Sequence, residues 1–226
     1  MRYTLAAVLS FTAGYADAAG FLALHGLFTA HVTGNFVTLG ASLVQGTEGG
    51  VTKLMALPMF CAVVFAVRLL RHRFVQRGVP VLRGMLLIEC TLLVMAAVVA
   101  WMLGPFADGD GAPAFAEGMI LVAAMAIQNA VQRVHLAHMP PTTIMTGTTT
   151  QIMIDAADLL HGVPAEQAAV ARKRIRRMLQ GVLAFASGCA VAALAYNYLE
   201  ARSFVVLPAL ALAILLHPEV KAAGGR

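Results

Sequence analysis

The feature that most constrains this chain is a series of six apolar runs, each close to the length that crosses a lipid bilayer. They cover residues 4–24, 54–71, 81–104, 114–133, 178–199 and 203–217, the last being short. A transmembrane helix needs about 20 mostly apolar residues. The 226 residues are 60% hydrophobic and only 12% charged, whereas soluble domains carry about 25% charged residues. The sequence therefore excludes a soluble domain and predicts an all-α integral membrane protein.

Two shorter segments, residues 28–45 and 141–160, contain Thr, Gly, Asn, Gln and acidic residues and are too polar for ordinary lipid-facing helices. Aligned with each other, they match Thr29 with Thr142, Thr33 with Thr146 and Gly34 with Gly147. In the preceding runs, Asp17 aligns with Asn129. We therefore predict two repeats, 1–110 and 111–226, each with three transmembrane helices and one short re-entrant or broken segment. The alternative is a chance match, because Thr-Gly is a common dipeptide.

The basic residues predict the topology, because Lys and Arg in short loops stay on the cytoplasmic side. Two clusters dominate: Arg68, Arg71, Arg73, Arg77 and Arg83, and Arg172, Lys173, Arg174, Arg176 and Arg177. If all eight segments crossed the membrane, the clusters would face opposite sides. With residues 28–45 and 141–160 re-entrant, both clusters become cytoplasmic, together with Arg2, Arg133, Lys221 and Arg226. Both termini are then cytoplasmic, and the two repeats are inverted relative to each other, as in many secondary transporters.

The N-terminus has a second interpretation. The first residues resemble a secretory signal with a cleavage site, because Arg2 is followed by the apolar stretch 5–11 and by the small residues 16–18. Cleavage would remove Asp17, the partner of Asn129, and leave the first repeat one helix short. The formal net charge of +5 is explained by cytoplasmic loops beside anionic headgroups, so no nucleic-acid partner is implied.

Several motifs resemble those of a known family. They are residues 14–21 (GYADAAGF), 31–35 (HVTGN), 86–89 (LLIE), 128–130 (QNA) and 142–148 (TTIMTGT). The chain resembles the YoaK-like family of bacterial multi-pass inner-membrane proteins, which is labelled as a domain of unknown function. The resemblance implies a multi-pass protein of the bacterial inner (plasma) membrane and leaves its activity open.

Asp17 and Glu89 are the two acidic residues placed well inside the predicted spans, and His31 lies in the first re-entrant segment. A charged side chain in hydrocarbon costs about 2.5–3.5 kcal/mol on insertion scales, so such residues usually face the bundle interior and mark function. We expect all three to take part in proton or ion coupling. Each has a structural alternative: Asp17 could accept hydrogen bonds from free amides of the re-entrant segment, Glu89 could snorkel toward Arg83, and His31 could be a packing hydrogen-bonder.

The two Thr-Gly motifs predict a substrate site. Non-helical backbone inside a membrane has to be satisfied by protein or by water in a cavity, and Gly34 and Gly147 permit close approach and unusual dihedral angles. Helix N-termini at such breaks favour an anion or a carboxylate-bearing solute. The predicted substrate-binding residues are Thr33, Gly34, Asn35, Thr38, Gln128, Asn129, Thr146, Gly147, Thr148 and Gln151. The alternative is that these residues only let helices pack closely.

Enzyme signatures are weak. His135 and His138 lack further zinc ligands nearby, and no phosphate loop or dinucleotide motif occurs. Asp155 and Asp158 could hold a divalent cation, but we expect them to end the polar segment beside the basic residues 172–177. We therefore predict no enzyme activity, no cofactor and no metal site.

The sequence favours a small-solute secondary transporter that works by alternating access around a midplane site between the re-entrant segments. A channel-like pore through the same segments and a non-transporting membrane scaffold or enzyme are the alternatives. The expected partners are a small-molecule or ion substrate and the lipid bilayer. Because 226 residues is short for a transporter, a homodimer is plausible.

Overall fold

The structure is a computed structural model that describes residues 4–143 and 145–223. Within them, the chain forms only helices and their connections. The α-helices are α1 (Leu5–Ala23), α2 (Asn35–Gln45), α3 (Gly50–Gln76), α4 (Val81–Leu103), α5 (Ala112–His135), α6 (Met145–His161), α7 (Ala165–Leu199), α8 (Val206–Leu216) and α9 (Pro218–Ala223). Two 3-10 helices, Val32–Gly34 and Glu200–Val205, precede α2 and α8. Arg2 and Arg226, used in the topology prediction, lie outside the described residues.

Five helical stretches among the described residues are long and apolar enough to cross a membrane: α1, α3, α4, α5 and the stretch from α7 through α8. The fifth stretch contains the last two predicted spans, and between them the chain changes direction at Glu200, whose φ is 49°. α8 has only 11 residues, as the short last apolar run suggests. The predicted all-helical, membrane-type fold is confirmed.

α3 and α7 are longer than their apolar runs. The runs cover 54–71 and 178–199, whereas the helices extend over Gly50–Gln76 and Ala165–Leu199. Hydropathy marks only the part of a helix suited to lipid, but Ala, Arg, Lys, Gln and Glu favour helix in water as well. Most of the basic residues of both clusters therefore lie on helix ends rather than in loops.

α1 and α7 are in backbone contact. A Cβ atom added at Gly14 would lie 2.2 Å from the carbonyl oxygen of Phe185, and one added at Gly188 would lie 2.2 Å from that of Phe11. The thiol of Cys189 also donates to the carbonyl of Gly14 at 3.3 Å. Small residues let helices approach this closely in membrane proteins, so α1 and α7 form a tight pair with no space between them at this level. The other main contacts join α5 to α3 and α4, and α4 to α8.

The loop between α4 and α5 closes one end of the bundle. His25, just after α1, donates from Nε2 to the carbonyl of Phe106 at 2.9 Å. Asp110 accepts from the backbone N–H of Thr52 (2.9 Å) near the start of α3. Partial burial opposes this, but the amides of the first turn of α3 hold the pKa of Asp110 below its usual value. α3 and α5 therefore begin at the same end and run side by side toward the opposite end, where their arginines lie.

The two short polar helices, α2 and α6, are each joined by a side-chain hydrogen bond to the long helix that follows. Lys53 of α3 donates from Nζ to the hydroxyl of Ser42 on α2 at 2.6 Å. Arg174 of α7 donates to the carboxylate of Asp155 on α6 through Nε, at 2.6 Å, and through Nη2. The predicted place of Asp155 beside residues 172–177 is confirmed.

Candidate functional site

A cavity of about 530 Å³ lies between α3, α5 and the 3-10 helix Val32–Gly34. Its volume falls within the range of small-molecule sites, roughly 300–1,000 Å³. Its lining consists of residues 30–33, Leu57, Phe60, Val64, Val67, Arg68, Arg71, Met85, residues 129–131 and residues 133–135. The cavity thus has polar groups from the middle of the bundle, an apolar wall, and arginines toward the end of the bundle opposite the 104–111 loop.

Asp17 holds residues 29–31 in place, and residues 30–33 line one part of this cavity. Its Oδ1 accepts the backbone N–H groups of Thr29 (2.8 Å), Ala30 (2.7 Å) and His31 (3.3 Å), and its Oδ2 accepts Nδ1 of His31 at 3.0 Å. Asp17 is 4% exposed, so these bonds satisfy backbone amides that water does not reach. The structural alternative for Asp17, that it accepts hydrogen bonds from free amides, describes this arrangement.

Asn35 closes the same segment on itself. Its Oδ1 accepts the N–H of Phe28 at 2.8 Å, and its Nδ2 donates to the carbonyl of Phe28 at 2.7 Å. Thr38 bonds weakly to the carbonyl of Asn35 at 3.4 Å. Asn35 and Thr38 therefore shape the segment, while His31 and Thr33 face the cavity.

The second polar segment is held by an amide pair, whereas the first is held by a carboxylate. Gln128 donates from Nε2 to the hydroxyl of Thr142 and to the carbonyl of Leu9, both at 3.0 Å. Asn129 accepts the hydroxyl of Thr143 at 2.7 Å and also lines the cavity. The residues before α6 are thus held to α5 by neutral hydrogen bonds.

The two motif glycines do not provide unusual dihedral angles, so that part of the sequence prediction is wrong. Gly34 has φ −61° and ψ −24°, in the ordinary helical region, and neither glycine is among the described residues with positive φ. At Gly34 the requirement is space, because a Cβ atom would lie 3.0 Å from the ring of Phe28. At Gly147 a Cβ atom would meet nothing within 4 Å.

The predicted site residues of the second polar segment stand apart from the cavity. Thr146 lies on an open groove along α6 with Thr149 and Thr150. Gln151 donates to the carboxylate of Asp155 at 2.7 Å, and Thr148 is buried. Of the thirteen predicted residues, His31, Thr33 and Asn129 line the cavity together.

Two buried glutamates have no hydrogen-bond partner within the described part of the chain. Glu89 on α4 and Glu117 on α5 are both 0% exposed, and all four carboxyl oxygens lack a partner. Glu89 does not reach Arg83, so the snorkelling alternative is wrong. It follows Met85, a cavity residue, by four positions and therefore lies on the same face of α4. Glu117 is not among the site residues predicted from the sequence. Its spacing of three helical turns from Gln128 was the signal that it shares the buried face of α5.

Sequence reasoning missed the cationic part of the cavity. Arg68, Arg71 and Arg133 all line it, and His135 lies beside them. The topology prediction explained these arginines as loop residues. The spacing of Arg68 and Arg71, three positions apart, was the available sign that both lie on one helix face.

The family described as "Protein of unknown function (DUF1275)" matches residues 5–217. This agrees with the expectation, from the motifs, of a domain of unknown function. Searches of curated proteins and of solved structures find no significant match.

Proposed function

The chain belongs to the DUF1275 family, and we propose that it is a small-solute secondary transporter of the bacterial inner membrane that works by alternating access. The observation that carries this proposal is the cavity, which combines the tip of the first polar segment with Asn129 of the second repeat. An anionic or carboxylate-bearing solute is favoured, because α2 begins beside the cavity and a helix N-terminus attracts negative charge.

Matching contacts in the two halves support an inverted repeat. In an inverted repeat, α1, α2, α3 and α4 correspond to α5, α6, α7 and α8. Each contact in one half should then have a counterpart in the other. The contact of α1 with α7 corresponds to that of α5 with α3, the contact of α2 with α3 to that of α6 with α7, and the contact of α4 with α5 to that of α8 with α1, and all six contacts are present. The bond from Lys53 to Ser42 likewise corresponds to that from Arg174 to Asp155. In this proposal α2 and α6 are re-entrant and enter from opposite faces.

The two equivalent interfaces differ, which supports two alternating states. α1 and α7 touch through Gly14 and Gly188, whereas α3 and α5 enclose the cavity. By the charge rule, we expect the arginine end of the cavity to face the cytoplasm, and in this proposal the present arrangement is the inward-facing one. In the outward-facing state the α3–α5 interface closes and the α1–α7 interface opens, which would bring Thr146 and Gly147 to the solute.

Glu89 is the proposed proton or cation site. An ionisable side chain that is buried in a membrane bundle is a functional candidate by default, and both oxygens of Glu89 lack a partner among the described residues. Asp17 already accepts four hydrogen bonds. In this proposal it contributes to coupling indirectly, by binding the ring of His31, which faces the cavity.

Orientation is tested by labelling. Single cysteines at Gly78 and Gln167, in a cysteine-free background, should react in intact cells only with a membrane-permeant reagent. One accessible and one protected site would contradict the re-entrant topology and the cytoplasmic termini.

Transport is tested on purified protein in liposomes. Anions, amino acids, nucleobases and sugars are first screened by thermal shift, since a ligand that binds the folded state raises its stability. Stabilising compounds are then measured in counterflow. Saturable, gradient-coupled exchange supports a transporter, whereas uncoupled flux would mean a pore and no flux a scaffold.

The variants Thr33→Val and Thr146→Val test the two halves. Loss of a neutral hydrogen bond costs about 0.5–1.5 kcal/mol, so each should weaken solute binding roughly three- to tenfold. Thr91→Val is the control, because Thr91 is exposed on α4 and its hydroxyl donates to the carbonyl of Leu87 in its own helix.

Glu89→Gln should abolish the pH dependence of flux and leave binding largely intact. Unchanged coupling would return Glu89 to a structural role.

A further inference from the structure

We propose that the cavity binds an amphipathic organic anion, with its acidic group held by Arg68, Arg71 and Arg133 and its apolar part against the α3 wall. The inference rests on the proposed transport function and names the substrate class that the cavity admits.

The three arginines form one cationic surface. Arg68 and Arg71 are three positions apart on α3, so they lie on the same helix face, and Arg133 is on α5, which runs beside α3. No Asp or Glu is among the described residues that line the cavity, and the ion pairs found in the described part of the chain involve none of these arginines. Within the described part of the chain, the positive charge at this end of the cavity is therefore not paired with an acidic side chain.

Arg71 carries an unsatisfied donor. Its Nε is buried and has no acceptor among the described residues. Buried polar atoms in native proteins are nearly always hydrogen-bonded, and a guanidinium binds carboxylate or phosphate oxygens through two parallel bonds. The missing acceptor is what an acidic group of the solute would supply.

The rest of the lining is apolar. Four of the lining residues succeed one another along α3, namely Leu57, Phe60, Val64 and Val67, and Met85 of α4 adds to the apolar lining. A small inorganic anion would leave this wall without contacts. The combination of an apolar wall with a few charged groups at one end is typical of sites for amphipathic ligands.

The test uses 4-phenylbutyrate and its neutral amide as a matched pair. Calorimetry on the purified full-length protein in a neutral detergent should show binding of the acid and at least about tenfold weaker binding of the amide, because a hydrogen bond to a charged group exceeds one to a neutral group. Acetate and inorganic phosphate, which lack the apolar part, should also bind at least about tenfold more weakly. Equal binding of acid and amide would overturn the proposal.

Variants locate the site. Arg71→Gln should weaken 4-phenylbutyrate binding about tenfold or more, and Arg71→Lys, which keeps the charge but not the paired donors, should have an intermediate effect. Arg77→Gln is the control, because Arg77 is exposed at the end of α3 and is not among the lining residues. Phe60→Ala should weaken binding, whereas Phe65→Ala, at a residue 68% exposed, should not. Thermal unfolding without ligand shows that each variant is folded, and equal effects of Arg71→Gln and Arg77→Gln would overturn the site.

A lipid headgroup is the other source of the same chemistry, so dihexanoyl phosphatidylglycerol and dihexanoyl phosphatidylcholine form a further arm. Preference for phosphatidylglycerol over 4-phenylbutyrate, lost in Arg71→Gln, would overturn the assignment to a free solute. Failure of transport is distinguishable from failure of this inference. Binding without counterflow refutes the transporter and leaves the site, whereas counterflow of another solute that Arg71→Gln does not affect refutes the site alone.

Discussion

Asp17→Ala should destabilise the protein more than Asn129→Ala, although the two residues align with each other in the sequence. Asp17 accepts three backbone amides and a ring nitrogen, whereas Asn129 accepts one hydroxyl and donates to one carbonyl. The two substitutions remove side chains of nearly equal size. Their difference therefore measures the hydrogen bonds.

The magnitude follows from the bonds lost. A hydrogen bond to a charged group contributes about 1.5–3 kcal/mol, so the two short amide bonds of Asp17, at 2.8 and 2.7 Å, amount to about 3–6 kcal/mol. The two neutral bonds of Asn129 amount to about 1–3 kcal/mol. At about 2–4 °C per kcal/mol for a chain of this size, Asp17→Ala should lower the Tm by at least about 6 °C. Asp17→Asn keeps an acceptor oxygen and should cost less than half as much.

A thiol-reactive dye can measure these transitions in detergent. Cys61 is exposed, whereas Cys90 is buried and donates to the carbonyl of Ala211 at 3.3 Å. In a Cys61→Ser background the fluorescence increase on unfolding reports the exposure of Cys90 and of the half-buried Cys189. Equal Tm values for Asp17→Ala and Asn129→Ala would refute the argument that the carboxylate holds the first polar segment.

Two further predictions concern packing and pH. Gly188→Ala should lower the Tm by several degrees, because its Cβ atom would lie 2.2 Å from a backbone oxygen of α1 and overpacking costs about 1–3 kcal/mol. Gly181→Ala is the control and should leave the Tm unchanged, because the nearest atom to its Cβ would be 3.6 Å away. Equal effects of the two substitutions would contradict the close contact between α1 and α7. The folded state lowers the pKa of Asp110, so the stability it contributes is present above its unfolded pKa of about 3.9 and is lost as the pH falls through the folded pKa. Asp110→Asn should therefore lower the Tm at pH 7 but not at the lowest accessible pH, and a gap that persists unchanged in acid would count against the amide contacts.

The helices were largely predictable because their signals are local. The apolar run 81–104 corresponds to Val81–Leu103, which begins after Pro80 and ends before Gly104, two residues that favour helix boundaries. The paired polar segments also correspond to distinct short helices. Hydropathy could not predict the helical extension over residues 165–177, because that part of α7 is helical without being apolar.

The cavity was not predictable, because it depends on which helices are neighbours. Arg71 and Arg133 are far apart in sequence, and the charge bias of cytoplasmic loops explains each of them separately. Likewise, the roles of Asp17 could not be separated without the position of the amides at residues 29–31, which the chain brings back to the middle of α1.

The close contact between α1 and α7 also bears on how the protein is made. The thiol of Cys189 meets Gly14 from 175 positions later in the chain, and the hydroxyl of Tyr15 donates to the carbonyl of Ser203 from 188 positions away, at 2.6 Å. Synthesis proceeds from the N-terminus, so α1 enters the membrane long before its main neighbour α7 has been made. During that time its glycine face and the side chain of Asp17 have to be sheltered by lipid headgroups or by the insertion machinery. A premature stop before α7 should therefore leave an unstable fragment that is subject to proteolysis rather than a folded half, and co-expression of the missing C-terminal piece should rescue it.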